Sequence, residues 1–192
     1  MESRIQRLET VYTSWHNHIS QLANITEGHL TITNAKIIDE VMDITKAKSV
    51  FEIGFNAGHS SVMWLEAGCK VTSMDIGNHD YTYTAVKELY KESWERFNFI
   101  LGSSKDVGWH LSANQYDLIF IDGEHGKQVE QDIEQCILKG KPKYLFLDDY
   151  HEQTNIASIN AVYPATLPWV EKGILERIKY YPNGQGLFKV ND

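Results

Sequence analysis

The sequence predicts an α/β protein with a doubly wound, mainly parallel sheet that is covered by helices on both faces. From residue 49 onward, short runs of β-branched and aromatic residues alternate with segments whose apolar residues lie three and four positions apart. This alternation is typical of parallel strands joined by helices. The chain has 192 residues, of which 42% are hydrophobic, and this is enough to bury one sizeable core.

The predicted strands and helices follow one another in a regular order. Five strands are predicted at residues 50–53, 70–74, 97–101, 116–121 and 144–147, with helical spacing at residues 59–66, 81–94, 104–111 and 129–138. Two further runs, at 174–180 and 186–190, flank the turn-forming sequence Tyr-Pro-Asn-Gly-Gln and predict an antiparallel hairpin at the sheet edge. The expected sheet therefore has seven strands.

Two amphipathic helices are expected before this repeat. Apolar residues from Ile5 to Leu22 recur three and four positions apart, and a second stripe runs from Ala35 to Met42. We therefore divide the chain into an N-terminal helical extension, residues 1–48, and a main domain, residues 49–192. The extension either packs on the sheet or forms a lid or a homodimer surface.

Composition excludes several classes of function. A formal net charge of −8 argues against binding to nucleic acid or to anionic membranes, which requires a basic surface. The sequence has no run of about 18 apolar residues and no signal-type apolar region near its start, so we expect a cytoplasmic protein. Cys69 and Cys136 lie in apolar settings far apart and are expected to be buried free thiols.

The first strand leads into a glycine turn that is a candidate ligand site, because ligands of open α/β sheets bind at the carboxyl ends of strands. In the sequence Glu-Ile-Gly-Phe-Asn-Ala-Gly-His-Ser at residues 52–60, Gly54 and Gly58 permit a tight turn into a helix whose free N–H groups can meet a polar ligand. The third glycine of the dinucleotide fingerprint is missing, which disfavours NAD. A simple strand-to-helix turn is the alternative.

The next two strands also end in polar residues. Asp75 follows the second strand, where a carboxylate can accept hydrogen bonds from ribose hydroxyls. Ser103, Ser104 and Lys105 follow the third strand and can bond the edge of an adenine ring. Helix capping is an equally good account of the serines taken singly.

Three carboxylates end the fourth and fifth strands. Asp122 follows the fourth, and Asp148 and Asp149 follow the fifth, so the three converge if these strands are neighbours. Like charges at close range require a compensating proton or cation, and oxygen ligands favour magnesium, manganese or calcium over zinc. His125, three residues after Asp122, suits a general base. The alternative is that the acids cap helices; His16, His18, His29 and His151 are interpreted as solvated side chains.

Taken together, these strand ends resemble the class I S-adenosylmethionine-dependent methyltransferases, and among them the small metal-dependent O-methyltransferases. The likeness covers about residues 49–150. In the catechol and caffeoyl-coenzyme A types, lysine stands where this chain has His125, and asparagine stands where it has Asp149. The chain is more similar to the macrolide-sugar O-methyltransferases, in which the histidine is the proposed base.

The resemblance implies a Rossmann-like fold, S-adenosylmethionine as cofactor, and methyl transfer to a small-molecule hydroxyl bound to a divalent metal, expected to be magnesium. His125 and Asp122 are the implied catalytic residues, and Asp122, Asp148 and Asp149 the implied metal ligands. The residues assigned to the cofactor are Glu52, Gly54, Asn56 and Ser60 at the methionine part, Asp75 at the ribose, Ser103, Ser104 and Lys105 at the adenine, and in addition Gly58 and Asp122. The acceptor is expected to contact the N-terminal helices and residues 151–169.

Three other functions stay open at this point. A relative with a similar acidic triad can use the fold for other chemistry or lack the metal. A non-catalytic subunit can bind the cofactor without turning over an acceptor. An NAD-dependent oxidoreductase is the third alternative, which the missing glycine disfavours.

Overall fold

A seven-stranded sheet forms the centre of the protein, as the sequence predicts. The computed structural model describes residues 2–26, 31–93, 95–124, 126–152 and 161–191. The strands are β1 (Ser49–Ile53), β2 (Lys70–Asp75), β3 (Phe97–Leu101), β4 (Leu118–Ile121), β5 (Tyr144–Leu147), β6 (Leu175–Tyr181) and β7 (Gln185–Val190). Their spatial order is β3-β2-β1-β4-β5-β7-β6. Strands β1 to β5 are parallel, and β7 pairs antiparallel with both β5 and β6, so the predicted mainly parallel, Rossmann-like sheet is confirmed.

Helices connect the strands and cover both faces. They are α1 (Arg4–Leu22), α2 (Asn34–Thr45), α3 (His59–Glu66), α4 (Asp80–Ser93), α5 (Gln128–Gln135) and α6 (Val162–Glu171). The segment predicted as a helix at residues 104–111 is a shorter 3₁₀ helix, Ser104–Trp109, and a π-helical turn, Cys136–Gly140, follows α5. Trp94, the expected end of α4, lies outside the described residues.

Helix α6 is not among the helices predicted from the sequence. This helix contains Pro168, and Pro164 lies in its first turn, where the missing backbone N–H would have no partner in any case. Two prolines within seven residues normally argue against a helix. The segment belongs to the stretch, residues 151–169, that is expected to contact the acceptor. Residues 153–160 of that stretch lie outside the described residues.

The N-terminal helices share a hydrophobic core with one face of the sheet. Leu8, Tyr12, Trp15 and Ile19 line the buried side of α1, and the indole Nε1 of Trp15 donates a hydrogen bond of 2.7 Å to the carbonyl oxygen of Ala57. Helix α1 is thereby attached to the glycine turn after β1. The division of the chain at residue 48 and the homodimer surface stay predictions.

The sheet order also determines where a cleft can form. The chain proceeds outward from β1 through β2 to β3, and it then returns to the other side of β1 to form β4 and β5. Connections leave in opposite directions at β1 and β4, and a crevice opens at the carboxyl ends of these two strands.

Cys69 and Cys136 are both buried and free, as predicted. None of the described helices is both long and apolar enough to span a lipid bilayer.

Candidate functional site

A cleft of about 950 Å³ opens at the carboxyl ends of the parallel strands, within the size range of small-molecule sites. It brings together most of the residues that the sequence singles out. Those lining the cleft are Gly54, Asn56, Ser60, Asp75, Ser103, Ser104, Lys105, Asp122, Asp148 and Asp149. Glu52 and Gly58 lie outside its lining, and His125 lies outside the described residues.

The turn after β1 requires glycine for two different reasons. Gly54 has a φ of +94°, and a Cβ atom there would lie 2.0 Å from the carbonyl oxygen of Asp122. Gly58 precedes α3 with a φ of +77°, and its Cβ would lie 2.7 Å from the ring of Phe55. Gly54 thus allows the turn to approach the end of β4, whereas Gly58 allows the chain to enter α3.

Asp75 holds this turn in place from the end of β2. Its Oδ2 accepts hydrogen bonds of 2.9 Å from the backbone N–H groups of Phe55 and Asn56, and its Oδ1 accepts one of 2.7 Å from Gly77. Two carboxylate oxygens offer about four acceptor positions, so these bonds leave room for one more donor. Asp75 is therefore both an anchor of the turn and a possible acceptor for a ligand hydroxyl.

Glu52 supports the turn from the protein interior and does not face the cleft. Its side chain is 0% exposed, and it accepts hydrogen bonds from the hydroxyls of Ser60, Ser61 and Ser73. The expected contact between Glu52 and the cofactor is replaced in this structure by three serines, two from α3 and one from β2. Burial raises the pKa of Glu52 to about 7, against the opposing effect of these hydroxyl donors.

The acids after β4 and β5 converge because these strands are neighbours. The side chains of Asp122 and Asp148 lie within hydrogen-bond distance of each other, and burial, followed by the charge of Asp148, raises the pKa of Asp122 well above its usual range. Asp149 also lines the cleft and has a φ of +51°. The close Asp122–Asp148 pair thus holds a proton that separated carboxylates would release.

Gln185 is a site residue that the sequence analysis missed. This side chain of β7 is 1% exposed, and its Nε2 donates a hydrogen bond of 2.6 Å to Asp148 Oδ1. Asn183 donates to Gln185 Oε1 at 3.3 Å and itself lines the cleft. The C-terminal hairpin therefore fixes one of the acids, and no local sequence signal indicates this contact.

Several histidines are less solvated than expected. His16 lies on α1, and its Nδ1 is 3.1 Å from Nε2 of His59, a buried residue that lines the cleft. His18 bonds Glu88 at 3.1 Å, and the ring of His151 lies against Gly184. The interpretation of His16 as a solvated side chain is wrong, because α1 packs on the start of α3; His29 lies outside the described residues.

Acidic residues outnumber Lys and Arg in the lining of the cleft. Its described lining contains five carboxylates, those of Asp75, Asp122, Glu124, Asp148 and Asp149, but among Lys and Arg only Lys105. Such a surface raises the local concentration of cations. In the described part of the chain, however, no three His, Cys, Asp or Glu side chains are grouped so as to hold a metal ion.

A family model described as a methyltransferase domain matches residues 51–150, just over half of the chain. The chain belongs to this methyltransferase domain family. The match begins within β1 and ends three residues after β5, so it contains every strand end that contributes acids or glycines to the cleft. The family predicted from those strand ends is confirmed.

Relatives of this methyltransferase domain were found among curated proteins and solved structures. A protein of Mycobacterium sp. (strain JLS), provisionally named an O-methyltransferase, is 29% identical over 112 residues, covering 55% of this chain and 50% of the relative. The chain spans about half the length of the curated relatives it matches.

Two solved structures show the same fold along nearly the whole chain. The O-methyltransferase of Bacillus cereus, in complex with S-adenosylhomocysteine, has a TM-score of 0.74 at 12% identity and covers 95% of this chain and 91% of its own. TomG of Streptomyces achromogenes, an O-methyltransferase involved in tomaymycin synthesis and solved with S-adenosylmethionine, has a TM-score of 0.68 at 13% identity, covering 96% and 90%. At these identities the likeness establishes the fold.

The close approach at Gly54 predicts a clear difference between two glycine substitutions. Gly54→Ala should lower the free energy of unfolding by more than about 2 kcal/mol, because the new methyl group meets backbone in addition to the unfavourable φ. Gly68→Ala is the matched control, since Gly68 has a φ of +96° and open space around its Cβ position; its cost should be about 1–2 kcal/mol. Urea denaturation measures both, and equal losses would contradict the contact.

The buried Glu52 predicts that stability falls as the pH rises. The folded-state pKa of about 7 lies above the ordinary value of 4.5, so the folded protein binds more protons between these values. Stability is highest below pH 4.5 as far as this group is concerned, and about 3 kcal/mol is lost as the pH rises through 7.

Glu52→Gln tests this prediction, because the amide resembles the protonated acid. Denaturation curves from pH 5 to pH 8 should show a flatter dependence in this variant than in the wild type, although Asp122 adds a change of the same sign. An equally steep loss in both proteins would show that Glu52 does not titrate in this range.

Proposed function

We propose that this methyltransferase domain transfers a methyl group from S-adenosylmethionine to a hydroxyl group of a small molecule. The observation that carries the proposal is the cleft itself, in which the glycine turn, Asp75 and the Asp122–Asp148 pair border one space at the carboxyl ends of the strands. The names of the curated relatives and the ligands of the two solved structures support it.

The charge of the cleft fits this cofactor. S-adenosylmethionine carries a positive sulfonium, a positive ammonium group and one carboxylate, so it is a net cation. The acidic side chains of the lining offer it a complementary negative field, even with one proton held by the Asp122–Asp148 pair. The ribose fits the unused acceptor capacity of Asp75. The volume of about 950 Å³ leaves space for an acceptor beside the cofactor.

In the proposed reaction, S-adenosylmethionine supplies a methyl group on its sulfonium. Asp75 binds the ribose hydroxyls, and the turn from Gly54 to Gly58 lets the backbone approach the methionine part. Transfer would form a bond from the acceptor oxygen to the methyl carbon and break the carbon–sulfur bond, so that S-adenosylhomocysteine would be the leaving group. The hydroxyl proton goes to His125, a role that rests on its sequence position three residues after Asp122. Holding the reacting atoms in line supplies much of the acceleration.

The proposal predicts cofactor binding that depends on Asp75. In calorimetric titration, S-adenosylmethionine and S-adenosylhomocysteine should both bind with a Kd on the order of micromolar, and Asp75→Ala should weaken both by about tenfold or more, because a hydroxyl acceptor and the anchor of the turn are lost. Asp80→Ala, an exposed acid outside the cleft lining, should bind as the wild type does.

Turnover is measured as release of S-adenosylhomocysteine with a panel of phenols, catechols and sugars, in the wild type and in His125→Ala. Loss of turnover with retained binding in His125→Ala supports its role as a base. Cofactor binding without turnover of any acceptor would favour a non-catalytic subunit. If neither form of the cofactor binds, the proposed function is wrong.

We extend the proposal to a divalent cation, with Asp122, Asp148 and Asp149 as its ligands. Two of these acids support it, because Asp122 and Asp148 are close enough to require a compensating positive charge and carboxylate oxygens suit Mg²⁺; Asp149 is added because it lines the same cleft, although the described side chains do not group three such ligands together. A cation there would lower the pKa of an acceptor hydroxyl. Gln185 would hold Asp148 in position through its hydrogen bond, as partners of metal ligands commonly do.

Metal binding can be measured without turnover. Titration of Mn²⁺ and Mg²⁺ into chelator-treated protein should show one site in the wild type, and Asp148→Ala should weaken binding by at least about tenfold. Asp106→Ala, an exposed acid outside the lining, is the control. Wild-type protein that binds neither ion would reject the metal while leaving the proposal for the cofactor in place.

A further inference from the structure

Gln128 presents a hydrogen-bond acceptor to the cleft. It is the first residue of α5, lines the cleft, and is only 9% exposed. Its Nε2 donates to Asp132 Oδ1 at 2.8 Å and to Gln131 Oε1 at 3.4 Å, whereas no described residue donates to its Oε1. Since an amide nitrogen donates two hydrogens and an amide oxygen only accepts, the donors of Gln128 are used within α5 and its oxygen is left for a ligand.

Asp132 determines this orientation of the amide. It lies one turn after Gln128 on α5 and is 0% exposed, which is rare for a carboxylate without a positively charged partner. The amide of Gln128 turns its nitrogen toward Asp132 Oδ1, the orientation that a carboxylate requires because it accepts hydrogen bonds but does not donate them. Burial raises the pKa of Asp132, and the hydrogen bonds from Gln128 and Ser104 oppose this effect by stabilising the charged form.

Gln128 borders the part of the cleft where a nucleoside base would lie. Its carboxylate partner is close to Ser104, and Gln131 donates to the backbone oxygen of Lys105 at 3.3 Å; Ser104 and Lys105 both line the cleft. Ile76, the residue after Asp75, is 56% exposed and also lines the cleft. A ribose held by Asp75 would direct its base over this exposed apolar side chain toward Gln128.

We infer that Gln128, oriented by Asp132, selects a ligand whose purine base carries a 6-amino group rather than a 6-oxo group. The amino group of adenine donates hydrogen bonds, whereas the carbonyl at the same position of hypoxanthine or guanine accepts them. An oxo base would place its oxygen against Gln128 Oε1 and leave that acceptor without a donor. The inference deepens the proposed function and rests on cofactor binding in this cleft.

The test compares two ligands whose purine bases differ in the group at position 6 and in the proton that the 6-oxo base carries on N1. S-adenosylhomocysteine and S-inosylhomocysteine, its 6-oxo analogue, are titrated calorimetrically into the full chain. The wild type should bind the amino form about tenfold more tightly. Gln128→Leu replaces the amide with an apolar side chain of similar size and so removes the acceptor. The ratio of the two dissociation constants should then fall to about one, mainly through weaker binding of the amino form.

Two further variants separate positioning from contact. Asp132→Asn lets the amide of Gln128 take either orientation, so the ratio should narrow although residue 132 itself lies out of reach of the ligand. Glu134→Gln, an exposed residue of the same helix outside the cleft lining, should keep the wild-type ratio. If Asp132 had a merely structural role, its substitution would weaken the binding of both ligands equally and leave the ratio of their dissociation constants unchanged.

The outcomes distinguish this inference from the proposed function. Tight binding of S-adenosylhomocysteine with equal affinity for its 6-oxo analogue, or an undiminished ratio in Gln128→Leu, would overturn the role of Gln128 and leave the proposed function standing. If the wild type binds neither ligand nor S-adenosylmethionine, the proposed function is overturned and this inference with it. Circular dichroism of each variant confirms that it is folded before its ratio is interpreted.

Discussion

The contact between the turn after β1 and the end of β4 is the constraint on which the cleft depends. A Cβ atom at Gly54 would lie 2.0 Å from the backbone oxygen of Asp122, so the two segments touch backbone to backbone. Because β2 and β4 flank β1 in the sheet, this contact brings the carboxylate after β2 and the acids after β4 and β5 to a common space. A side chain at Gly54 would separate them.

The turn is also held by two carboxylates that have different environments. Asp75 accepts hydrogen bonds from backbone N–H groups of the turn and still lines the cleft. Glu52 is buried and accepts hydrogen bonds from three serine hydroxyls. Asp75 can accept a hydrogen bond from a ligand in the cleft, whereas Glu52 cannot reach one. The same residue type therefore serves recognition in one position and internal attachment in the other, according to burial.

The sheet and the convergence of acids follow from the sequence, because both depend on periodicity and on the general rule that ligands bind at strand ends. Contacts between residues far apart in the chain cannot be predicted in this way. The serines that enclose Glu52 lie 8, 9 and 21 residues away, and Gln185 lies 37 residues from Asp148. No local spacing marks such pairs. The contact of His16 with His59 escapes prediction for the same reason, since it needs the packing of α1 on α3.

The position of β7 in the sheet bears on how the protein is made. This strand is the last in chain order, yet it lies between β5 and β6. During synthesis, β5 therefore exposes an unpaired row of backbone groups until residues 185–190 have left the ribosome. Such an open edge is a template for association with other chains, and its closure waits for a pairing between residues more than thirty positions apart.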